Sequence, residues 1–187
     1  MSLVKSGELR AGYESLAAKL ATDDTAGHMR PYVSARLVED VTVESTFEQY
    51  GREFTFFADE AAVRGGKELG PSPMRYFLSG IVFCLIGWYA KGSTFADVDV
   101  EGLEVDARTY LDMRGEHGFT SVPANPQWIV LDIRVTSPSP SSNVLAMLEW
   151  GDARCPLGVF ARRAVPVYQQ VTHNDEVILD TVPAEAR

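Results

Sequence analysis

Basic residues are scarce in this chain of 187 residues. Lysine and arginine number 17 against 26 aspartates and glutamates, which gives a formal net charge of −9. Nucleic acids and anionic membranes bind proteins through basic patches, so this deficit argues against both as partners. An apolar export segment is also lacking, because residues 1–20 carry several charges. We therefore expect a cytoplasmic protein that binds neither nucleic acid nor membrane.

Residues with metal-binding or phosphate-binding patterns are few as well. The three histidines lie far apart in predicted loops and lack the spacing of metal ligands: His28, His117 and His173. Gly66-Lys67 is followed by Glu68, whereas a phosphate-binding loop requires serine or threonine after the lysine. We expect neither a metal nor a cofactor.

The composition predicts one globular domain with an N-terminal addition. Apolar residues make up 45% of the chain and charged residues 23%, which is ordinary for a folded domain of this length. Leu9, Tyr13, Leu16 and Leu20 recur at helical spacing. We assign residues 1–30 to a helical extension and residues 31–187 to the main domain.

The most apolar stretch, from Gly70 to Lys91, predicts the central helix. Pro73 suits the first turn of a helix, and Ser79 is the one polar residue between Arg75 and Lys91. A helix that is apolar on nearly every face is typical of a buried position. The stretch is too short for a membrane span, and Gly80 and Gly87 interrupt it.

The flanking segments predict an α+β fold. Alternating or β-rich patterns predict strands over residues 32–47, 53–58, 103–112, 129–135 and 165–179, with a turn at Tyr50-Gly51. Further helices are predicted over residues 143–153 and 157–164. Strand pairs separated by helices favour α+β architecture over an alternating parallel sheet.

The two cysteines are the strongest candidates for chemistry. Cys155 directly precedes Pro156 at the start of a short helix, where the helix dipole would lower the pKa of the thiol. Cys84 lies within the apolar helix, so its thiolate would need a nearby cation, most simply an arginine. The alternative is that both are buried small hydrophobic residues. Arg162 and Arg163 end a predicted helix, where a structural role at the dipole's negative end suffices.

Two separated segments together resemble one family. The sequence GPSPMRYFLSGIVFC places Cys84 eleven residues after Pro73, and Cys155-Pro156 follows 71 residues later before a short helix. The approach Gly-Gly-Lys-Glu-Leu-Gly precedes the first segment. Over about residues 38–172 the chain resembles the OsmC/Ohr family, the osmotically inducible and organic hydroperoxide reductase proteins.

The resemblance implies a fold, a partner and an activity. It implies antiparallel sheets wrapped around two long buried core helices in an intertwined homodimer. It also implies a thiol peroxidase that reduces organic hydroperoxides, with Cys84 peroxidatic, Cys155 resolving and a dithiol as reductant. The family's activating arginine comes from the N-terminal hairpin, where Arg36 and Arg52 are the candidates.

One position departs from the family pattern. Active members carry a glutamate after the helix-opening proline that pairs with the activating arginine, whereas Met74 stands here. Arg75 follows it, but lies more than two helical turns from Cys84. The alternative function is therefore a dimeric small-molecule binding protein of the same fold, without peroxidase turnover.

Overall fold

The computed structural model describes residues 1–119, 121–163, 170–173 and 176–180. The helices are α1 (Ser6–Thr22), α2 (Pro73–Ser93), α3 (Met113–Glu116), α4 (Ser141–Asp152) and α5 (Pro156–Arg162). The strands are β1 (Ser34–Glu39), β2 (Thr42–Gln49), β3 (Arg52–Ala58), β4 (Gly102–Tyr110), β5 (Trp128–Thr136), β6 (Gln170–His173) and β7 (Glu176–Asp180).

These strands form antiparallel sheets in the order β1-β2-β3, β4-β5 and β6-β7. Within each sheet, consecutive strands pair with one another, so no parallel crossover is present in the described part of the chain. The predicted α+β class is confirmed. The predicted turn at Tyr50-Gly51 is also confirmed, and both residues have positive φ, as a tight hairpin turn requires.

The prediction of a single strand over residues 32–47 is wrong, because the chain reverses at Asp40. This residue has a φ of 50°, a conformation that aspartate tolerates better than most residues. Leu37 of β1 then pairs with Val43 of β2, so odd-numbered residues stay on one face in both strands. The alternating pattern continued through the turn and gave no sign of it.

The prediction of one final strand over residues 165–179 is also wrong. β6 and β7 pair antiparallel, with Gln170 opposite Asp180 and His173 opposite Glu176. The start of the predicted strand, residues 165–169, lies outside the described residues, as does the last residue of the predicted helix 157–164.

The central helix α2 starts at Pro73 as predicted, but within the chain only one of its faces is buried. Leu78, Ile81, Leu85 and Tyr89 lie on that face, at three- and four-residue spacing. Phe83 on the opposite face is 73% exposed, so the helix is not buried all round as expected. Among the described residues, no helix combines the length and the apolar character needed to cross a bilayer.

Two glycines set the contact between α2 and α4. A Cβ on Gly92 would lie 2.7 Å from the backbone oxygen of Met147, and a Cβ on Gly151 would lie 2.5 Å from the ring of Tyr89. Both distances are too short for real side-chain contacts. The helices can therefore approach this closely only because glycine occupies both positions.

The N-terminal helix α1 packs against the rest of the chain through Tyr13 and Arg10. Tyr13 makes edge contacts with the rings of Trp88, Phe95 and Trp150. Arg10 lies over the Phe95 ring and donates a hydrogen bond to the backbone oxygen of Thr94. Most other residues of α1 are exposed.

Candidate active site

The fold brings together the two cysteines that lie 71 positions apart in the sequence. Cys155 belongs to the buried core cluster with Leu85 and Tyr89, and Cys84 packs against that cluster. The two cysteines are neighbours in the fold, since Cys84 packs against the cluster of Cys155 and contributes to the raised pKa of that thiol, and both thiols are free. Cys84 remains partly exposed, whereas Cys155 is fully buried.

The surroundings of Cys155 reverse the expectation from its sequence position. Its sulfur occupies the N-cap of α5 and accepts a hydrogen bond from the Gly158 N–H at 3.2 Å. Burial raises the pKa of the thiol to about 11, and the hydrogen bond with Cys84 acts in the same direction. The expected low pKa is wrong, because loss of hydration outweighs the N–H groups of a seven-residue helix.

Next to Cys155 lie three polar side chains that sequence analysis did not assign to the site. Tyr89 is buried and its hydroxyl donates to Oδ1 of Asp152 at 2.8 Å. Burial, followed by this hydrogen bond, raises the pKa of Tyr89. Arg162 pairs with the same oxygen at 3.4 Å. The available signal was spacing, since Asp152 and Arg162 lie one and two helical turns from Cys155.

A mainly apolar cleft of about 410 Å³ is lined by residues that contact Cys155. It lies between α2, the start of β5 and α5, and its walls include Phe77, Leu85, Trp128, Gly158 and Arg162. Leu85 and Gly158 also contact Cys155. An apolar molecule in the cleft would therefore contact residues that themselves contact Cys155, the candidate resolving cysteine.

The predicted activating arginines lie elsewhere in this chain. Arg36 on β1 pairs with Glu44 of β2 at 2.9 Å, and Arg52 is exposed at the start of β3. Both therefore belong to the three-stranded sheet rather than to the helices that carry the thiols. Arg75 is exposed in the first turn of α2 and lines a different small cleft with Phe83.

Comparison with known proteins identifies a family that matches this chain. Residues 65–169, more than half of the chain, match the model of the OsmC-like protein family. A comparison with curated proteins gives no match.

Solved structures share the fold at low identity. The OsmC-like protein from Mycoplasma pneumoniae is 17% identical, with a TM-score of 0.59 over 72% of this chain and 88% of its own. An OsmC-like protein of unknown function from Vibrio cholerae is 13% identical, with a TM-score of 0.52 over 70% and 93%. The organic hydroperoxide resistance protein OsmC from Legionella pneumophila is 12% identical, with a TM-score of 0.50 over 72% and 90%. The family match confirms the resemblance seen in the sequence: the chain belongs to the OsmC-like protein family.

Proposed function

We propose that this protein is a cysteine-based thiol peroxidase that reduces organic hydroperoxides, with Cys84 peroxidatic and Cys155 resolving. The observation that carries the proposal is the contact between two free thiols from distant parts of the sequence. Family membership and the fold shared with a protein called an organic hydroperoxide resistance protein support it.

The difference in exposure between the thiols supports this division of roles. A peroxide must reach the sulfur that attacks it, and Cys84 is the partly exposed one. Its thiolate attacks one peroxide oxygen, so that an S–O bond forms, the O–O bond breaks and the alkoxide leaves to become an alcohol. Cys155 then displaces water from the sulfenic acid to give a disulfide, and a dithiol restores both thiols by exchange.

The cleft supports an organic rather than an inorganic peroxide. Phe77, Ile81, Leu85 and Trp128 give it apolar walls, which favour a bulky hydrocarbon group. Hydrogen peroxide would gain nothing from such walls. We therefore expect a substrate with an aromatic or alkyl body.

We also propose that the protein acts as a homodimer. The exposed face of α2 carries Phe83, which is 73% exposed, and a second chain would bury it. The partner's hairpin would then be the source of the activating cation, with Arg36 or Arg52 as candidates. Residues 1–30 would be an extension added to an OsmC-like domain of residues 31–187, in keeping with a family match that starts at residue 65.

A thiol count tests the enzyme proposal. One equivalent of cumene hydroperoxide should convert two free thiols per chain to none, and a small dithiol should restore both. Cys84→Ser should abolish peroxide consumption. Cys155→Ser should consume one equivalent and stop at the sulfenic acid, which dimedone traps. Two thiols that stay free under excess hydroperoxide would contradict the proposal.

The apolar cleft favours one second candidate, a binding protein without turnover. A cleft of about 410 Å³ falls in the size range of small-molecule sites. In that case the wild type would bind apolar ligands while both thiols remain reduced in the same assay.

A further inference from the structure

Three helices meet around Cys155, and each contributes a side chain to one hydrogen-bonded group. Tyr89 of α2 donates its hydroxyl to Oδ1 of Asp152 on α4 at 2.8 Å. Nη2 of Arg162 on α5 lies 3.4 Å from the same oxygen. Tyr89 is fully buried, so it fixes the carboxylate from the core side, and the carboxylate in turn holds the guanidinium. We call Tyr89, Asp152 and Arg162 the polar triad.

The triad holds Arg162 close to the sulfur of Cys155. Gly158, one turn into α5, lies between them. The position of a Cβ on Gly158 is 3.3 Å from Nη1 of Arg162 and 3.3 Å from Sγ of Cys155. These two atoms are therefore separated by no more than twice that distance. Because residue 158 has no side chain, nothing from it screens the guanidinium from the sulfur.

The charge of Arg162 opposes what the other groups around Cys155 do. The titratable groups facing this sulfur are Cys84 and Tyr89 from α2, Asp152 from α4 and Arg162 from α5. Strands β4 and β5 pack apolar side chains against the same cluster: Leu103, Val105, Ile129, Leu131 and Ile133. Burial and Cys84 disfavour the thiolate, whereas the nearby positive charge of Arg162 favours it.

A contribution to folding stability does not by itself explain why Arg162 and Asp152 are paired. The two side chains are 51% and 39% exposed, and exposed ion pairs contribute little to folding. Their position next to a thiol that must ionise gives the pair a chemical use. We propose that Arg162, positioned by Asp152 and through it by Tyr89, stabilises the Cys155 thiolate that forms the disulfide.

This inference rests on the proposed function, and it concerns its second step. The Cys155 thiol first loses its proton, which ends on the departing oxygen. The thiolate then attacks Sγ of the Cys84 sulfenic acid, so the S–S bond forms, the S–O bond breaks, and hydroxide leaves and takes up a proton to become water. The Cys84 sulfur is reduced and the Cys155 sulfur is oxidised. Arg162 raises the fraction of attacking thiolate, so it accelerates this step.

A thiolate titration without peroxide tests the electrostatic part. In the Cys84→Ser background, the ultraviolet absorbance of the thiolate gives the ionisation midpoint of Cys155. Arg162→Gln should raise this midpoint and reduce the thiolate fraction about tenfold at a given pH, the effect of one nearby opposite charge. Arg162→Lys should restore most of it, and Tyr89→Phe, which changes no charge, should give a smaller rise. Arg163→Gln is the matched control, since Arg163 is exposed and adjacent in sequence.

Single-turnover kinetics separate this inference from the proposed function. With Cys84 present, Arg162→Gln should slow the conversion of sulfenic acid to disulfide about tenfold relative to the Arg163→Gln control. This step is timed after the hydroperoxide has been consumed, so an effect of Arg162 on the cleft does not enter the comparison. If no sulfenic acid forms in any of these proteins, the proposed function is wrong. If sulfenic acid forms normally and the disulfide follows at the wild-type rate in Arg162→Gln, the role given to Arg162 is wrong. An unchanged midpoint in Arg162→Gln would contradict it as well.

Discussion

Cys84 and Cys155 are the same residue type in two different surroundings. Cys84 lies in the middle of α2 with part of its surface open, and Cys155 lies beneath the first turn of α5 with none. The sequence identified both positions, but the lowered pKa that it predicted for Cys155 is wrong. A helix N-terminus favours a thiolate only where water is not lost at the same time.

The raised pKa of Cys155 predicts a loss of stability at alkaline pH. In the unfolded chain a thiol titrates near pH 8.5, whereas in the folded protein the pKa is about 11. Between these values the folded protein holds the extra proton, so its stability is complete below about pH 8.5 and decreases as the pH rises towards 11. Urea denaturation under reducing conditions should show wild type losing roughly 3 kcal/mol more than Cys155→Ala over this interval.

The variant controls for other groups that titrate in the same range. Tyr89, whose pKa is raised chiefly by burial and by its hydrogen bond to Asp152, is present in both proteins, so most of its contribution cancels in the comparison. Parallel pH profiles for wild type and Cys155→Ala would show that Cys155 ionises as freely in the folded as in the unfolded chain.

At the scale of elements, close contact between helices depends on particular glycines, and no sequence pattern distinguishes these glycines from the others. Gly87 interrupts the apolar run of α2, but in this chain a Cβ at that position would meet nothing within 4 Å. The tight contacts lie instead at Gly92 and Gly151, where α2 crosses α4. Which glycine faces a neighbouring helix depends on how the two helices cross, and the sequence of one helix does not predict that crossing.

Gly151→Ala should therefore destabilise the protein. The new Cβ would lie 2.5 Å from Cδ1 of Tyr89, a fully buried ring that has no room to shift. Overpacking of this kind costs about 1–3 kcal/mol in free energy of unfolding. Chemical denaturation provides the measurement.

Gly12→Ala is the matched control for that substitution. Gly12 lies in the exposed helix α1 with nothing within 4 Å of its Cβ position. Alanine there should stabilise by up to about 1 kcal/mol, since it favours the helix more than glycine does. Equal stabilities of the two variants would mean that α2 and α4 are less closely packed than described.

At the scale of the whole molecule, the apolar surface of α2 that remains exposed is the main feature to explain. Phe83 is 73% exposed within a helix that is otherwise apolar on almost every face. We predict a dimer of about 41 kDa, twice the chain mass of 20.6 kDa, in sedimentation at micromolar concentration. Phe83→Arg should give a monomer, because a buried charge opposes association.

Phe119→Arg serves as the control for charge and size. Phe119 is also exposed, at 59%, but it lies in the loop after α3 and not in α2. This variant should sediment as the wild type does. A stable, well-folded wild-type monomer would contradict the dimer prediction.

The sequence by itself determined the central elements and the family. The apolar run opened by Pro73, the alternation over residues 103–112 and the Cys155-Pro156 pair each act over a few residues, so local patterns were sufficient for α2, β4 and α5. The hairpin at Asp40 was missed because its turn preserved the alternation of facing residues.

Only the tertiary structure decided the environment of the site. Contact between Cys84 and Cys155 requires α2 and α5 to pack together, and the polar triad requires α4 as well. The pKa of Cys155 follows from how much water that packing removes, a quantity that depends on all three helices at once. Residue types and spacing set which groups could react, and the packing of the helices set which of them meet and how readily each one ionises.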